Sequence, residues 1–146
     1  MEEALPFVSV IVPVYNAEGM VGDCIESLLN QDYPKDRYEI IIVDNDSTDG
    51  TAEVIRRYPV KYMMEREMHT CFAAEDTGAR ASRGELLAFC DSDETATPSR
   101  VRTLVCIWRG SLRRRLFLIG MNILMLMANL HGKLRYRFGG SVGRNW

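Results

Sequence analysis

The stretch Gly84-Glu85-Leu86-Leu87-Ala88-Phe89-Cys90-Asp91-Ser92-Asp93 decides how the chain is read. Five apolar residues in a row, bounded by glycine on one side and Asp-Ser-Asp on the other, predict a buried strand that runs into a polar turn. Asp91 and Asp93 stand two apart where the strand opens, so both carboxylates can lean to one side and offer hard oxygens to Mg²⁺ or Mn²⁺. Such a cation would in turn hold phosphates. The same residues also suit a plain solvated turn, because Asp and Ser are common where strands end.

The rest of the first two thirds repeats this design. Phe7 to Val14 is β-branched and almost continuously apolar, as expected of a strand covered on both faces, with Pro13 marking its end. Met20, Val21, Cys24, Ile25, Leu28 and Leu29 then recur at helical spacing, with Asn16 as the expected N-cap. A second strand, Tyr38 to Val43, ends in Asp44-Asn45-Asp46-Ser47-Thr48-Asp49-Gly50, where Ser47, Thr48 or Asp49 is positioned to cap a helix over 51–58. Val60 to Met64 predicts a weaker strand, and Cys71 to Arg83 a helix in which Gly78 is a soft spot.

Strands alternating with helices through short loops predict an α/β fold, an open and mostly parallel sheet with flanking helices. Such sheets bind ligands at the carboxyl ends of their strands. Pro13-Tyr15-Asn16, Asp44-Asn45-Asp46 and Asp91-Ser92-Asp93 each fall at such an end, so folding should gather them on one rim.

Bulk properties divide the chain. All 20 acidic residues lie at or before Glu94, with 8 of the 18 basic ones; from Thr95 onward there are 10 Lys or Arg and no acid. We therefore distinguish residues 1–98 from a basic segment, 99–146. In that segment fifteen mostly apolar residues, Leu116 to Leu130, lie between Arg113-Arg114-Arg115 and Lys133-Leu134-Arg135-Tyr136-Arg137. The run falls short of the roughly 18 residues of a transmembrane helix, but its basic flanks suit a helix at an anionic membrane surface. A core helix, or a tail foreign to the fold, would read the same way. The basic residues bracket an apolar stretch and form no polar stripe, so nucleic acid is not an expected partner. Gly139 to Asn145 reads as a mobile terminus.

Cys24, Cys71, Cys90 and Cys106 form no C-x-x-C pair, and the first residues lack a basic, signal-like region. Both features point to a reducing, cytoplasmic setting. Dinucleotide, P-loop and nucleophile-elbow motifs are absent, and His69 and His131 stand alone.

Val8 to Asn16 (VSVIVPVYN), Ser27 to Tyr33 (SLLNQDY), Glu39 to Thr51 (EIIIVDNDSTDGT) and Gly84 to Asp93 together resemble family 2 glycosyltransferases of GT-A fold, over about residues 7–98. The resemblance implies a Rossmann-like half that binds a nucleotide-diphosphate sugar and passes the sugar to a glycan or lipid-linked acceptor; many relatives work on lipid-linked acceptors, so the expected setting is the cytoplasm, with the inner face of the membrane as a further candidate. By the same carry-over, Pro13, Tyr15 and Asn16 border the base and Asp44 hydrogen-bonds to it. Asp91 and Ser92 belong to the nucleotide site, and Asp91 and Asp93 to the Mg²⁺ or Mn²⁺ site.

Two departures stand out. Where many members carry Ala-Arg-Asn-x-Gly, the matching positions here include Glu75-Asp76-Thr77-Gly78, leaving Arg80 or Arg83 as the cation that would have to swing in. No Asp or Glu follows Glu94, so no catalytic base is assigned, and against the family pattern the fold is expected to be incomplete on its acceptor side.

Overall fold

The structure, a computed structural model, describes residues 4–110 together with the backbone of Leu116–Leu118 and Leu124–Met127. Four parallel strands, β1 (Val8–Val14), β2 (Tyr38–Asp44), β3 (Lys61–Met64) and β4 (Leu86–Phe89), lie in the order β3-β2-β1-β4. The helices between and after them are α1 (Val21–Leu29), α2 (Thr51–Ile55), α3 (Cys71–Ala81) and α4 (Arg100–Gly110). Beyond β4, β6 (Leu124–Met127) runs antiparallel to it, and β5 (Leu116–Leu118) antiparallel to β6.

The continuous apolar runs are explained by burial on both faces. Alternate residues of β1 and β2 point opposite ways: Val8, Val10, Val12, Ile40 and Ile42 pack with Val21, Ile25 and Leu28 of α1, Ile55 of α2 and Val101, Leu104 and Val105 of α4. Ile11, Ile41 and Val43 join Leu87, Phe89 and the α3 residues Ala74 and Ala79 on the other face. Residues 100–110, grouped with the basic segment by charge, thus complete the same core as residues 8–89.

Several local expectations are corrected. Pro13 lies inside β1, paired with Val43, and does not end it. Its missing N–H faces the β4 side, where pairing with β1 has stopped at Phe89, so no ladder bond is lost. Asn16 does not cap α1, which starts at Val21 behind Met20 with no side-chain cap; Asn16 instead takes a left-handed turn, φ 46°. Helix α2 stops at Ile55, well short of Tyr58. Gly78 is no soft spot, because a Cβ there would lie 2.5 Å from Ile11 Cγ2 and 3.1 Å from Val43 Cγ2, so its bareness lets α3 close on the sheet.

Within the apolar run 116–130 the described backbone is strand, not the helix expected. The rest of that run, and the glycine-rich end, lie outside the described residues. Among the described residues no helix is long and apolar enough to cross a membrane.

Candidate nucleotide and cation site

Because β1, β2 and β4 run parallel, their carboxyl ends share one edge, and the three polar clusters meet there. The loop after β1 takes its shape from the loop after β2. Asn16 N–H donates to Ser47 Oγ (2.9 Å), while Asn16 Oδ1 accepts from Thr48 N–H (2.8 Å). Ala17 N–H donates to Thr51 Oγ1 (2.8 Å), and Gly50 N–H to Glu18 Oε2 (3.1 Å). Asp49 accepts from Glu18 N–H (3.3 Å) and, in place of a cap residue proper, from Thr51 N–H (3.0 Å). The Thr51 hydroxyl also donates to Asp49 and holds its carboxyl below the usual range. The Ser47-to-Thr51 segment is therefore a clamp on residues 16–18.

Asp44 closes β2 and is sealed, at 0% exposure. Its Oδ1 accepts from Ser47 N–H and its Oδ2 from Tyr62 O–H, both at 2.9 Å. Asn45, also buried, ties down the entry to α3 when its amide is assigned the orientation that satisfies both neighbours, the nitrogen donating to Met68 O and the oxygen accepting from Thr70 N–H, each at 3.1 Å.

Across the edge, Asp91, Ser92, Asp93 and Glu94 form a turn closed by Glu94 N–H to Asp91 O (3.1 Å). Asp91 and Asp93 are exposed, and Ser92 is buried. Two buried thiols support the turn, Cys24 Sγ and Cys90 Sγ each donating to Asp91 O at 3.6 Å. Arg100 braces it from α4, reaching Phe89 O (3.3 Å) and Glu94 Oε2 (3.4 Å). An open groove of about 290 Å³ lies between the turn and the loop after β1, lined by Tyr15, Asn16, Ala17, Met20, Ser92 and Asp93. Of the residues expected at the site, Tyr15, Asn16, Ser92 and Asp93 line this groove. Asp91 stands in the same turn as Asp93, and Pro13 and Asp44 lie buried in the strands behind.

Neither arginine expected to swing in does so. Arg80 pairs with Asp76 at 2.6 Å on the outer face of α3. Arg83 pairs with Glu39 at 3.4 Å and stacks over Phe7, at the amino-terminal edge of the sheet. Glu75 is half-buried and does not point to solvent. Its Oε1 accepts from Cys71 Sγ (3.7 Å), and its Oε2 is buried with no partner among the described residues. Burial, reinforced by the charge of Asp91, pushes its carboxyl up to about 7.

Asp91 and Asp93 provide two hard oxygens at an exposed turn, and among the described residues no three His, Cys, Asp or Glu side chains gather into a closed cage. That donor set fits a small divalent ion that takes one or two carboxylates from the protein and its remaining ligands from a substrate phosphate and water. Sequence reasoning missed Arg100 and Tyr62. Arg100 carried no local signal, and Tyr62 became visible only once β3 was in register with β2.

The four parallel strands with flanking helices match the GT-A, Rossmann-like fold. The chain belongs to the family described as Glycosyl transferase family 2, whose profile matches residues 9–109. Glycosyltransferase AglE of Haloferax volcanii is 43% identical over 98 residues, covering 64% of this chain and 32% of its own. The structure of S. aureus TarS 1–349 in complex with UDP-GlcNAc superposes with a TM-score of 0.62 at 26% identity, covering 71% of this chain and 31% of that one. Mannosyltransferase PcManGT from Pyrobaculum calidifontis, in complex with GDP-Man and Mn²⁺, gives 0.58 at 31% identity, covering 66% and 30%. The chain thus spans about a third of the length of these proteins.

Proposed function

We propose that this chain forms the donor-binding half of a glycosyltransferase that moves a sugar from a nucleotide-diphosphate sugar to an acceptor hydroxyl on a glycan or lipid-linked molecule. The observation that carries the proposal is the juxtaposition, across one groove, of the Asp91-Ser92-Asp93 turn and the Tyr15-Asn16 wall. Pro13, Tyr15 and Asn16 border the base in this reading. Asp44 accepts a base N–H through a lone pair not used by Ser47 or Tyr62, once the groups covering it part. Ser92 belongs to the nucleotide site, and Asp91 and Asp93 hold Mg²⁺ or Mn²⁺ against the diphosphate.

The cation, when bound, supplies Lewis-acid stabilisation of the departing diphosphate. The chain's own contribution is to orient the donor: the braced turn fixes the two carboxylates, and the clamp fixes the wall that faces them. A general base on the acceptor hydroxyl has no candidate after Glu94, the last acidic residue of the sequence. Because the residues lining the groove bear on holding a nucleotide diphosphate, a second reading is a nucleotide-diphosphate-binding module without turnover.

Calorimetry with UDP, GDP, CDP and ADP, with and without Mn²⁺, tests the binding site. The expected result is metal-dependent binding of at least one of them that disappears in Asp93→Ala; absence of binding to all four rejects both readings. Slow release of free sugar from the matching nucleotide-sugar, or transfer to an acceptor, separates the enzyme from the binding module.

A further inference from the structure

We infer that Tyr62 is a positioning residue whose hydroxyl sets the orientation in which the Asp44 carboxylate meets the nucleobase. The inference rests on the proposed nucleotide site and goes beyond it, because Tyr62 itself touches no part of the groove.

Tyr62 sits opposite Ile42 in the β2–β3 register, and Asp44 opposite Met64. Side chains two apart share a face, so Tyr62 and Asp44 are diagonal neighbours across the two strands. The tyrosine hydroxyl reaches Asp44 Oδ2 at 2.9 Å, while Ser47 N–H holds Oδ1 at the same distance. An ionised carboxylate has about four acceptor positions, and these two bonds fill one on each oxygen. Rotation of the carboxylate is thereby stopped, and the direction of its remaining lone pairs is set.

Ser47 alone would leave the group free to tilt about one bond. Tyr62 supplies the second point, and its own position is secured by the Arg56 guanidinium 5.4 Å from its ring centre. Burial, and then the bond to Asp44, push the Tyr62 hydroxyl up to about 12, so it remains a donor throughout the neutral range. A fixed acceptor of this kind suits the ring N–H of uracil or guanine. Cytosine and adenine present an unprotonated nitrogen at the corresponding place. Preorganisation by a neighbour that never meets the ligand is a general way to sharpen such recognition.

The test compares UDP with its N3-methyl derivative, which lacks the N–H, on the wild-type protein and on Tyr62→Phe with Mn²⁺ present; if the wild type prefers GDP, the N1-methyl derivative of GDP is used. Phenylalanine keeps the ring and its stacking on Arg56 and loses one hydrogen bond of a half-buried residue, so the fold should persist. The ratio of the two dissociation constants is taken on one protein, so a general loss of stability cancels. Wild type is expected to disfavour the methylated ligand roughly tenfold or more, and Tyr62→Phe to weaken the parent nucleotide roughly fivefold with little change for the methylated one. A wild type that does not discriminate, or binds neither nucleotide, overturns the base contact at Asp44 and this inference with it. A wild type that discriminates while Tyr62→Phe keeps the same ratio overturns the role of Tyr62 alone.

Discussion

Asn16 and Ser47, 31 residues apart, are joined by a 2.9 Å bond in which the Asn16 N–H donates to the serine hydroxyl. Asn16 holds a left-handed backbone at that point, a conformation asparagine tolerates better than most residues and one that this bond helps to fix. Ser47→Ala removes the acceptor and should cost about 0.5–1.5 kcal/mol in denaturant unfolding. Ser47→Thr, which keeps the hydroxyl, should recover most of it.

Gly78 offers a test in which local and tertiary physics disagree in sign. Helix propensity alone says Gly78→Ala stabilises α3 by about 1 kcal/mol. The 2.5 Å approach to Ile11 says the new methyl must displace a buried side chain of the central strand, at a cost of about 1–3 kcal/mol. Thermal melts should show destabilisation, and a rise in melting temperature would contradict the packing described.

Glu75 predicts a pH dependence. Its carboxyl is raised from an ordinary 4.5 to about 7, chiefly by burial, so the folded state holds the proton more tightly than the unfolded chain. Its contribution to stability is therefore complete below about pH 4.5 and is lost as pH rises through about 7, an effect on the order of 1–3 kcal/mol. Glu75→Gln cannot ionise. Relative to it, the wild type should lose stability between pH 4.5 and 7 in chelator-treated samples, and parallel curves would refute the assignment.

Arg100 ties the start of α4 to the last carbonyl of β4 and to Glu94 at the end of the acidic turn. Arg100→Met keeps much of the buried stem and removes both bonds, so it should lower stability by about 1–2 kcal/mol. Because the turn is braced there, it should also weaken Mn²⁺-dependent nucleotide binding more than Arg102→Met, whose native side chain pairs with Asp32 on the outer surface.

Elements whose signal is local were legible in the sequence. The strands of β1, β2 and β4 announce themselves through unbroken β-branched and apolar runs, and the polar residues after each can be assigned to one edge as soon as the strands are taken as parallel. Asn16 reads as a helix cap because asparagine serves equally as a cap and as a left-handed turn residue, and only its partners Ser47 and Thr48 decide between them. Gly78 reads as a soft spot because propensity does not register what lies across the interface. The Tyr62–Asp44 contact depends on strand register, which no single segment contains. The arginines at 80 and 83 were plausible by helical spacing, yet nearer carboxylates, Asp76 and Glu39, claim them.

The lacing of residues 16–18 to residues 47–51 has a temporal side. Many of the bonds that shape the two loops run from one to the other, so their final form waits until the parent strands are side by side. The rim is then among the last parts of the molecule to set during folding and among the first to let go on heating, and binding competence should fade before the sheet beneath it melts.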